Sequence, residues 1–306
     1  MIITSKKLLD KAYKKHYAIG HFNINNLEIL QAIILACEKT KSPAIIATSE
    51  GAIKYAGHKT IFNIIKNETR KSNIPFAIHL DHGRDMKIIK KSIQLGYTSI
   101  MIDGSHLKFE ENIKLTKKVV NMCHKKNISV EGELGTIGGA EDLVESRKII
   151  LTDPKIAKEF IQKTGVDSLA IAIGTSHGAY KFVESKKVKL DIKRLQQINK
   201  VCKIPLVLHG ASEVPQKYVK LIEKYGGKLE GVKGVPSVQL KKAISNGVAK
   251  VNTDTDLRLA FTAGMRKFFK ENKKDIDPRH ELSYAKRFVQ DIVEHRIKEL
   301  GSNGKM

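Results

Sequence analysis

Three histidines in this chain are each followed directly by glycine: His82-Gly83, His177-Gly178 and His209-Gly210. A catalytic zinc takes three protein ligands and keeps a fourth position for water or substrate, and three imidazoles meet that need without thiolates. A glycine after each ligand lets the chain turn sharply and brings backbone N–H groups close to an anion. A single histidine is more often a hydrogen-bonded structural residue, so it is the threefold repetition that points to a metal. Asp81, next to His82, is placed either to exchange protons as a general acid/base or to orient an imidazole. His79, two residues earlier, is expected deeper in the core with a hydrogen-bonding neighbour. Adjacent residues in a regular strand face opposite ways, so Asp81 and His82 share a site only where the strand breaks.

Two further stretches are rich in polar groups. In Glu131-Gly132-Glu133-Leu134-Gly135 the carboxylates recur at period two and point the same way. Buried carboxylates are costly unless paired or metal-bound. Asp103, before Gly104-Ser105-His106, is positioned to join Glu133 around a cation or a histidine, with a structural ion pair as the alternative. The run Lys250-Val251-Asn252-Thr253-Asp254-Thr255-Asp256-Leu257-Arg258 alternates Asn252, Asp254 and Asp256. Capping of the next helix would account for Thr255 or Asp256 but not for Asn252 and Asp254.

These residues need a scaffold that brings strand ends together. Short β-rich runs, Ala18–Ile24, Ala44–Ser49, Phe76–Asp81, Ser99–Asp103, Ser129–Leu134, Ser168–Gly174, Pro205–Gly210 and Ala249–Thr253, alternate with segments of helical periodicity. The latter include Leu27–Glu38, Met86–Leu95, Glu110–Lys126, Pro154–Thr164, Ile192–Val201 and Pro215–Tyr225. Eight such alternations predict an α/β fold, a (β/α)8 TIM barrel spanning residues 1–306 as one domain, with a C-terminal helical extension over Ser283–Leu300. Working residues then belong at the C-terminal ends of the strands, with phosphate expected near the last ones. Asp153-Pro154 and Val214-Pro215 each place a proline in a helix's first turn, and Tyr225-Gly226-Gly227 ends a helix. The long, glycine-rich and charged segment Gly135–Thr152 is expected to be a functional loop.

Composition narrows the class. A chain of 306 residues at 41% hydrophobic can bury one large core. Three widely spaced cysteines, Cys37, Cys123 and Cys202, argue against a disulfide framework and for a reducing compartment. The N-terminus turns polar within a few residues, and no apolar run approaches the roughly 18 residues of a membrane span. A cytoplasmic location and no membrane partner are expected. The net charge of +23 is spread over predicted helices without interleaved aromatic residues, so a nucleic-acid platform is not expected. A positive field of this kind suits an acidic small substrate.

At these residues the sequence resembles the class II fructose-bisphosphate aldolases. The resemblance is carried by Ser49–Gly57, His79–Gly83, Met101–His106, Glu131–Gly135 with Gly138–Asp142, Ala172–Tyr180, Leu206–Ser212 and Lys250–Phe261. It implies that His82, His177 and His209 hold a catalytic zinc, with Glu133 and Asp103 close by as further candidate ligands. It implies that Asp81 exchanges the proton of a substrate C4 hydroxyl, that Glu141 moves the proton at the enolate carbon, and that Asn252 contacts the enediolate. Ser49, Gly178, Lys181, Gly210, Ser212, Asp254 and Thr255 are implied in substrate and phosphate binding, with Arg258 at the distal phosphate. A second divalent ion, a monovalent cation (Na+ or K+) and a homodimer or homotetramer are implied as well. Local differences from the pattern are Ala211 and Glu213 after the His-Gly pair, and Leu143–Ile150 with Glu145 and Arg147.

The activity so implied is reversible cleavage of fructose 1,6-bisphosphate to dihydroxyacetone phosphate and glyceraldehyde 3-phosphate. A divalent Lewis acid stabilises the negative charge that forms on the former carbonyl oxygen, so no Schiff-base lysine is required. Tagatose 1,6-bisphosphate is the alternative substrate, and the motifs do not separate the two. A zinc hydrolase would leave Asn252 and the phosphate loops without a task. A basic nucleic-acid-binding protein is favoured by charge alone.

Overall fold

The computed structural model describes residues 1–136, 138–141, 144–146, 150–177, 189–229 and 231–306. In chain order the strands are β1 (Ile19–Asn23), β2 (Ala44–Ser49), β3 (Phe76–Gly83), β4 (Ser99–Ile102), β5 (Ser129–Leu134), β6 (Gly138–Glu141), β7 (Val144–Ser146), β8 (Ser168–Ile171), β9 (Ser176–His177), β10 (Leu206–Leu208) and β11 (Val248–Thr253). Eight of these close a barrel in the order β1-β11-β10-β8-β5-β4-β3-β2, every pair parallel. All eight expected strand regions are present. The remaining three form a separate small sheet ordered β7-β6-β9.

Strand alternation divides the barrel interior from the helix-facing core. Phe22, Ile46, Ile78, Leu80, Ile100, Ile102, Val130, Leu169 and Val251 belong to the large cluster beneath the surrounding helices. The inward set begins with Ile19, Ile45 and Ala77, which pack against Leu8, Leu9 and Ala12 of the helix Ser5–Lys14. That helix, which periodicity did not reveal, seals the N-terminal end. Its Ser5 hydroxyl meets the hydroxyls of Ser99 and Ser129 at 2.8 and 2.7 Å. Further along, Met101, Ala170 and Val207 form a small apolar plug. Polar residues fill the remaining inward positions toward the C-terminal mouth.

The outer helices follow local rules. Pro154–Thr164 starts at Asp153, whose carboxylate accepts from Lys155 and Ile156 N–H, carries Pro154 in its first turn and ends at Gly165 with φ +75°. Its Phe160 lies over Gly132, where an added Cβ would stand 2.9 Å from the ring, so β5 needs glycine there. Pro215 is the residue preceding the helix Gln216–Lys224, not its first helical residue as expected, while Gly226 (φ +85°) follows its end as expected. The terminal helix begins earlier than expected and spans Pro278–Leu300, because Asp277 caps it and Pro278 fits its first turn. The helices Glu50–Ala56, His58–Arg70 and Ser237–Ile244 also lie outside the expected set. All three cysteines are buried and free.

The terminal helix packs closely on Thr255–Glu271, the helix that follows the last strand. At Gly264 a Cβ would lie 2.7 Å from Ala285 Cα. Alanine would gain about 1 kcal/mol in helix propensity, but overpacking against backbone costs about 1–3 kcal/mol. Gly264→Ala is therefore expected to lower stability by up to about 2 kcal/mol, measured as a reduced urea midpoint at unchanged slope.

Candidate active site

The C-terminal mouth gathers most of the polar residues singled out in the sequence. Asp81 and His82 share the site because the strand breaks between them in conformation while remaining paired. His82 has φ +46°, and the β3–β4 register shifts between Leu80 and Gly83. A left-handed histidine is uncommon and costly, of order 1–3 kcal/mol, and it swings the imidazole to the face that Asp81 already occupies. The following Gly83 owes its identity to space: a Cβ would stand 2.8 Å from Met101 O. Gly210 shows the expected left-handed turn, φ +59°, and a Cβ there would lie 2.5 Å from Ser176 O.

The rings of His82 and His209 meet edge to face at 4.6 Å, with His82 Nε2 and His209 Nδ1 2.9 Å apart. Asp81 is buried; its carboxylate accepts from Asn23 Nδ2 at 2.9 Å and from Asn252 Nδ2 at 3.3 Å. On the other side of His82, Nδ1 lies 3.1 Å from Asp103 Oδ2 and 3.7 Å from Glu133 Oε2. Arg84 forks onto the same Asp103 oxygen, Nε at 2.9 Å and NH2 at 2.7 Å, while Ser105 donates to the other at 2.7 Å. His79 is fully buried against Ser99 Oγ at 2.7 Å, the core role expected of it.

Charge in this pocket is unevenly satisfied. Burial alone would lower the His82 imidazolium, but the carboxylates of Asp81, Asp103 and Glu133 outweigh it and push His82 up to about 10. Burial also works against an ionised Asp103, yet His82 and Arg84 hold its carboxyl well below the usual range. Glu133 is pushed well upward, first by burial and then by the charge of Asp103. Its Oε2 is buried without a hydrogen-bond partner among the described residues. Burial drives His21 and His79 well below the usual imidazole value, and the Lys250 ammonium adds to the effect.

Two sets of possible ligand atoms overlap here, Asp81–His82–His209 and His82–Asp103–Glu133, the atoms of each set lying within 4.8 Å of one another. Imidazole nitrogens and carboxylate oxygens around an under-neutralised Glu133 suit a divalent cation with mixed N/O ligands. Such an ion would sit where strands converge, the position of active sites in barrels of this kind.

The other expected site residues are placed as follows. The backbone of His177 lies in β9, paired to β6 through Gly139, and the backbone of Glu141 lies in β6. Gly135–Thr152, expected as a loop, thus contains a hairpin, β6 against β7. Gly178, Lys181, Leu143 and Arg147 lie outside the described residues. Ser49 is buried beside Asp81 in the β2–β3 register and caps Glu50–Ala56 by accepting from Ala52 N–H at 3.1 Å. Ser212, Asp254 and Thr255 are buried at the mouth after β10 and β11. Arg258 forks onto Asp254 at 3.0 and 2.7 Å, one helical turn away.

Asp256 does not cap its own helix. Its carboxylate accepts from Glu213 and Val214 N–H at 3.0 and 2.8 Å, holding a turn in which Val214 has φ +54°. The Glu213 side chain points away from the mouth to His295 Nε2, 2.7 Å distant, so it does not oppose an anion there. Asn23 and Arg84 were not singled out from the sequence. Asn23 had a signal, since His21 and Asn23 are polar at period two in an otherwise apolar strand; Arg84 had none.

Fold and mouth together define a barrel protein whose C-terminal mouth carries side chains that could hold a metal ion, and its relatives place it among the aldolases, which are lyases. The family model described as fructose-bisphosphate aldolase class-II matches residues 3–305. Over 307 residues the chain is 44% identical to a fructose-bisphosphate aldolase of Thermus caldophilus, and over 309 residues 45% identical to one of Helicobacter pylori (strain ATCC 700392 / 26695), each alignment covering 100% of both chains. The crystal structure of the YdjI aldolase from Escherichia coli K12 superposes with a TM-score of 0.82 at 33% identity, covering 100% of this chain and 99% of that one. The chain belongs to the class II fructose-bisphosphate aldolase family. Among the described residues no helix is long and apolar enough to cross a membrane.

The Glu213–His295 pair ties the terminal helix to the turn after β10, and its pH dependence can be worked out. Hydrogen bonding to Glu213 raises His295 above 6.5, so its contribution is present below that value and fades as pH climbs through the raised one. The same bond lowers Glu213 below 4.5, so that contribution is present above 4.5 and fades in acid. With His295 51% exposed, solvent screening keeps the pair within about 1 kcal/mol. Urea titrations of His295→Gln are expected to show a deficit near roughly pH 5.5 that disappears by about pH 9; a deficit equal at both would show that the ion pair is not its source.

Proposed function

We propose that this chain is a zinc-dependent aldolase that reversibly cleaves fructose 1,6-bisphosphate into dihydroxyacetone phosphate and glyceraldehyde 3-phosphate. The observation that carries the reading is the meeting of Asp81, His82, His209 and Asn252 at one barrel mouth beside an under-neutralised Glu133. His82, His209 and His177 would hold the zinc, with Asp103 and Glu133 within reach of the same position. When bound, the ion supplies Lewis-acid stabilisation of negative charge on the former ketone oxygen.

The chain's own groups do the rest. Asp81, kept in place by the Asn23 and Asn252 amides, takes the proton of the C4 hydroxyl as the C3–C4 bond breaks. The electron pair of that bond is left on the ketone-side fragment, and C4 becomes the aldehyde carbon. Asn252, turned toward both Asp81 and His209, is placed to donate to an oxygen of that fragment as charge develops. Glu141 delivers the proton to C3. Gly178, Lys181, Gly210, Ser212, Asp254 and Thr255 bind the ketone-side phosphate, Ser49 contributes to substrate binding, and Arg258 answers the distal phosphate. Small phosphorylated sugars as partners, a homodimer or homotetramer, a cytoplasmic location, a monovalent cation beside the glycine turns and a second divalent ion belong to the same reading. A net charge of +23 attracts a substrate whose phosphates each carry about −1.5 to −2.

Cleavage should be measured on fructose 1,6-bisphosphate and tagatose 1,6-bisphosphate, each with chelator and with zinc returned. Chelator-sensitive cleavage favouring fructose is expected. A tagatose preference would move the substrate and keep the chemistry, whereas cleavage that survives complete metal removal would refute the site.

Substitutions divide the roles. His209→Ala is expected to lose bound zinc and cleavage together. Asp81→Ala is expected to keep zinc while turnover falls by roughly 10²–10⁴-fold, the usual cost of removing a general acid/base. Metal loss from the Asp81 variant would instead make Asp81 part of the ligand support.

A further inference from the structure

His209, just after β10, belongs to a buried triad completed by residues of two other strands. His209 Nε2 is 2.8 Å from Glu131 Oε1, and Glu131 Oε2 is 2.7 Å from Lys250 Nζ. None of the three side chains is more than 2% exposed. Glu131 comes from β5 and Lys250 from β11, where it lies in register beside Val207 of β10. We propose that Glu131 and Lys250 act together as positioning residues that fix the tautomer and ring orientation of His209. The inference rests on reading His209 as a metal ligand.

The chemistry of the donors leaves one arrangement. An ammonium only donates and an ionised carboxylate only accepts, so a Glu131 held by Lys250 takes the Nε2–H of His209. His209 Nδ1 then carries its lone pair toward the mouth. Asn252 supports the same assignment independently, since its Nδ2 lies 3.1 Å from Nδ1 and an amide nitrogen can only donate. A ligand imidazole whose other nitrogen donates to a carboxylate is both oriented and made a stronger base. Lys250 completes the device, because a buried carboxylate without a cation would be too costly to keep. The ring cannot turn about its axis without breaking the Nε2–H bond to Glu131.

The test uses the full chain, freed of metal and labelled with ¹⁵N-histidine, with the His209 signals assigned by their loss in His209→Ala. A protonated Nε2 and a bare Nδ1 are expected, and a protonated Nδ1 would overturn the proposal whatever any other variant does. Two double variants supply the second readout, zinc affinity by competition with a chromophoric chelator. Glu131→Gln with Lys250→Met keeps a neutral acceptor for Nε2–H and is expected to bind zinc within a few-fold of the parent. Glu131→Leu with Lys250→Met removes the acceptor and is expected to bind roughly 10–100-fold more weakly. Undiminished affinity in the leucine variant, or equal losses in both, would overturn the proposal. Zinc retained by His209→Ala would instead refute the ligand reading, which separates the two failures.

Discussion

An ionised carboxylate removed from water costs several kcal/mol unless cations and donors surround it, and four carboxyl groups, those of Asp81, Asp103, Glu131 and Glu133, are buried inside this barrel. Much of the remaining interior can be understood as an answer to that constraint. Lys250 is buried because Glu131 is. Arg84 reaches inward from a half-buried position because Asp103 must be neutralised. Asn23 and Asn252 turn their amides toward Asp81, supplying donors without adding charge. Glu133 is the remainder: its Oε2 is buried without a hydrogen-bond partner among the described residues, and His82 is drawn toward the imidazolium state by the negative charge around it. An interior built this way brings several nitrogen and oxygen donors close enough together for one divalent cation to be shared among them.

Two of the six non-glycine residues with positive φ among the described residues stand beside the same groups. His82 and Val214 are non-glycine residues in left-handed conformations, each costing of order 1–3 kcal/mol. His82 is held by the β3–β4 ladder, which resumes at Gly83 opposite Ile102. Val214 is held by the Asp256 carboxylate, and the same turn is braced by Arg296, which donates to Ala211 O at 3.1 Å and pairs with Asp256 and Glu299. Arg296 belongs to the terminal helix, so an element far from the chemistry in sequence fixes the turn where Gly210 and Ser212 stand. The extension is thus part of the site's support, which its position after the eighth strand did not suggest.

The barrel was legible because its strands alternate with helices of clear periodicity, and Asp81, Asn252 and Glu133 stand at strand ends where period-two alternation sets their facing; His82, one residue beyond Asp81, joins them only through the left-handed break in β3. The helix Ser5–Lys14 was missed because it serves the barrel floor and stands outside the strand–helix rhythm. Sequence order places Glu213 beside the turn after β10, where a carboxylate would oppose an anion; the structure turns it outward to His295, a contact made across 82 positions of chain. Arg84 followed a recognised motif yet had no periodic signal, since its role depends on the distance to Asp103 across β3 and β4. Capping, a local role, would account for Thr255 or Asp256, whereas the partners of the Asp256 carboxylate, Glu213 and Val214 N–H, come from the turn after another strand. Local chemistry is readable from spacing; partners supplied by the closure of the barrel are not.

The small sheet carries this dependence on closure one step further. Gly138 pairs with Ser176 and Gly139 with His177, so the strand that ends at Glu141 is hydrogen-bonded to the strand that ends at His177. Residues assigned to two different tasks, moving a proton and holding a metal, therefore share one ladder. Two segments joined in this way cannot be ordered independently: whatever stabilises the placement of His177 also lowers the cost of placing β6, and the converse holds by linkage. Ser176, at the start of that pairing, is also the residue that Gly210 approaches so closely that no Cβ fits between them. The turn bearing Gly210, the strand bearing His177 and the strand bearing Glu141 thus lie in succession, each against the main chain of the next.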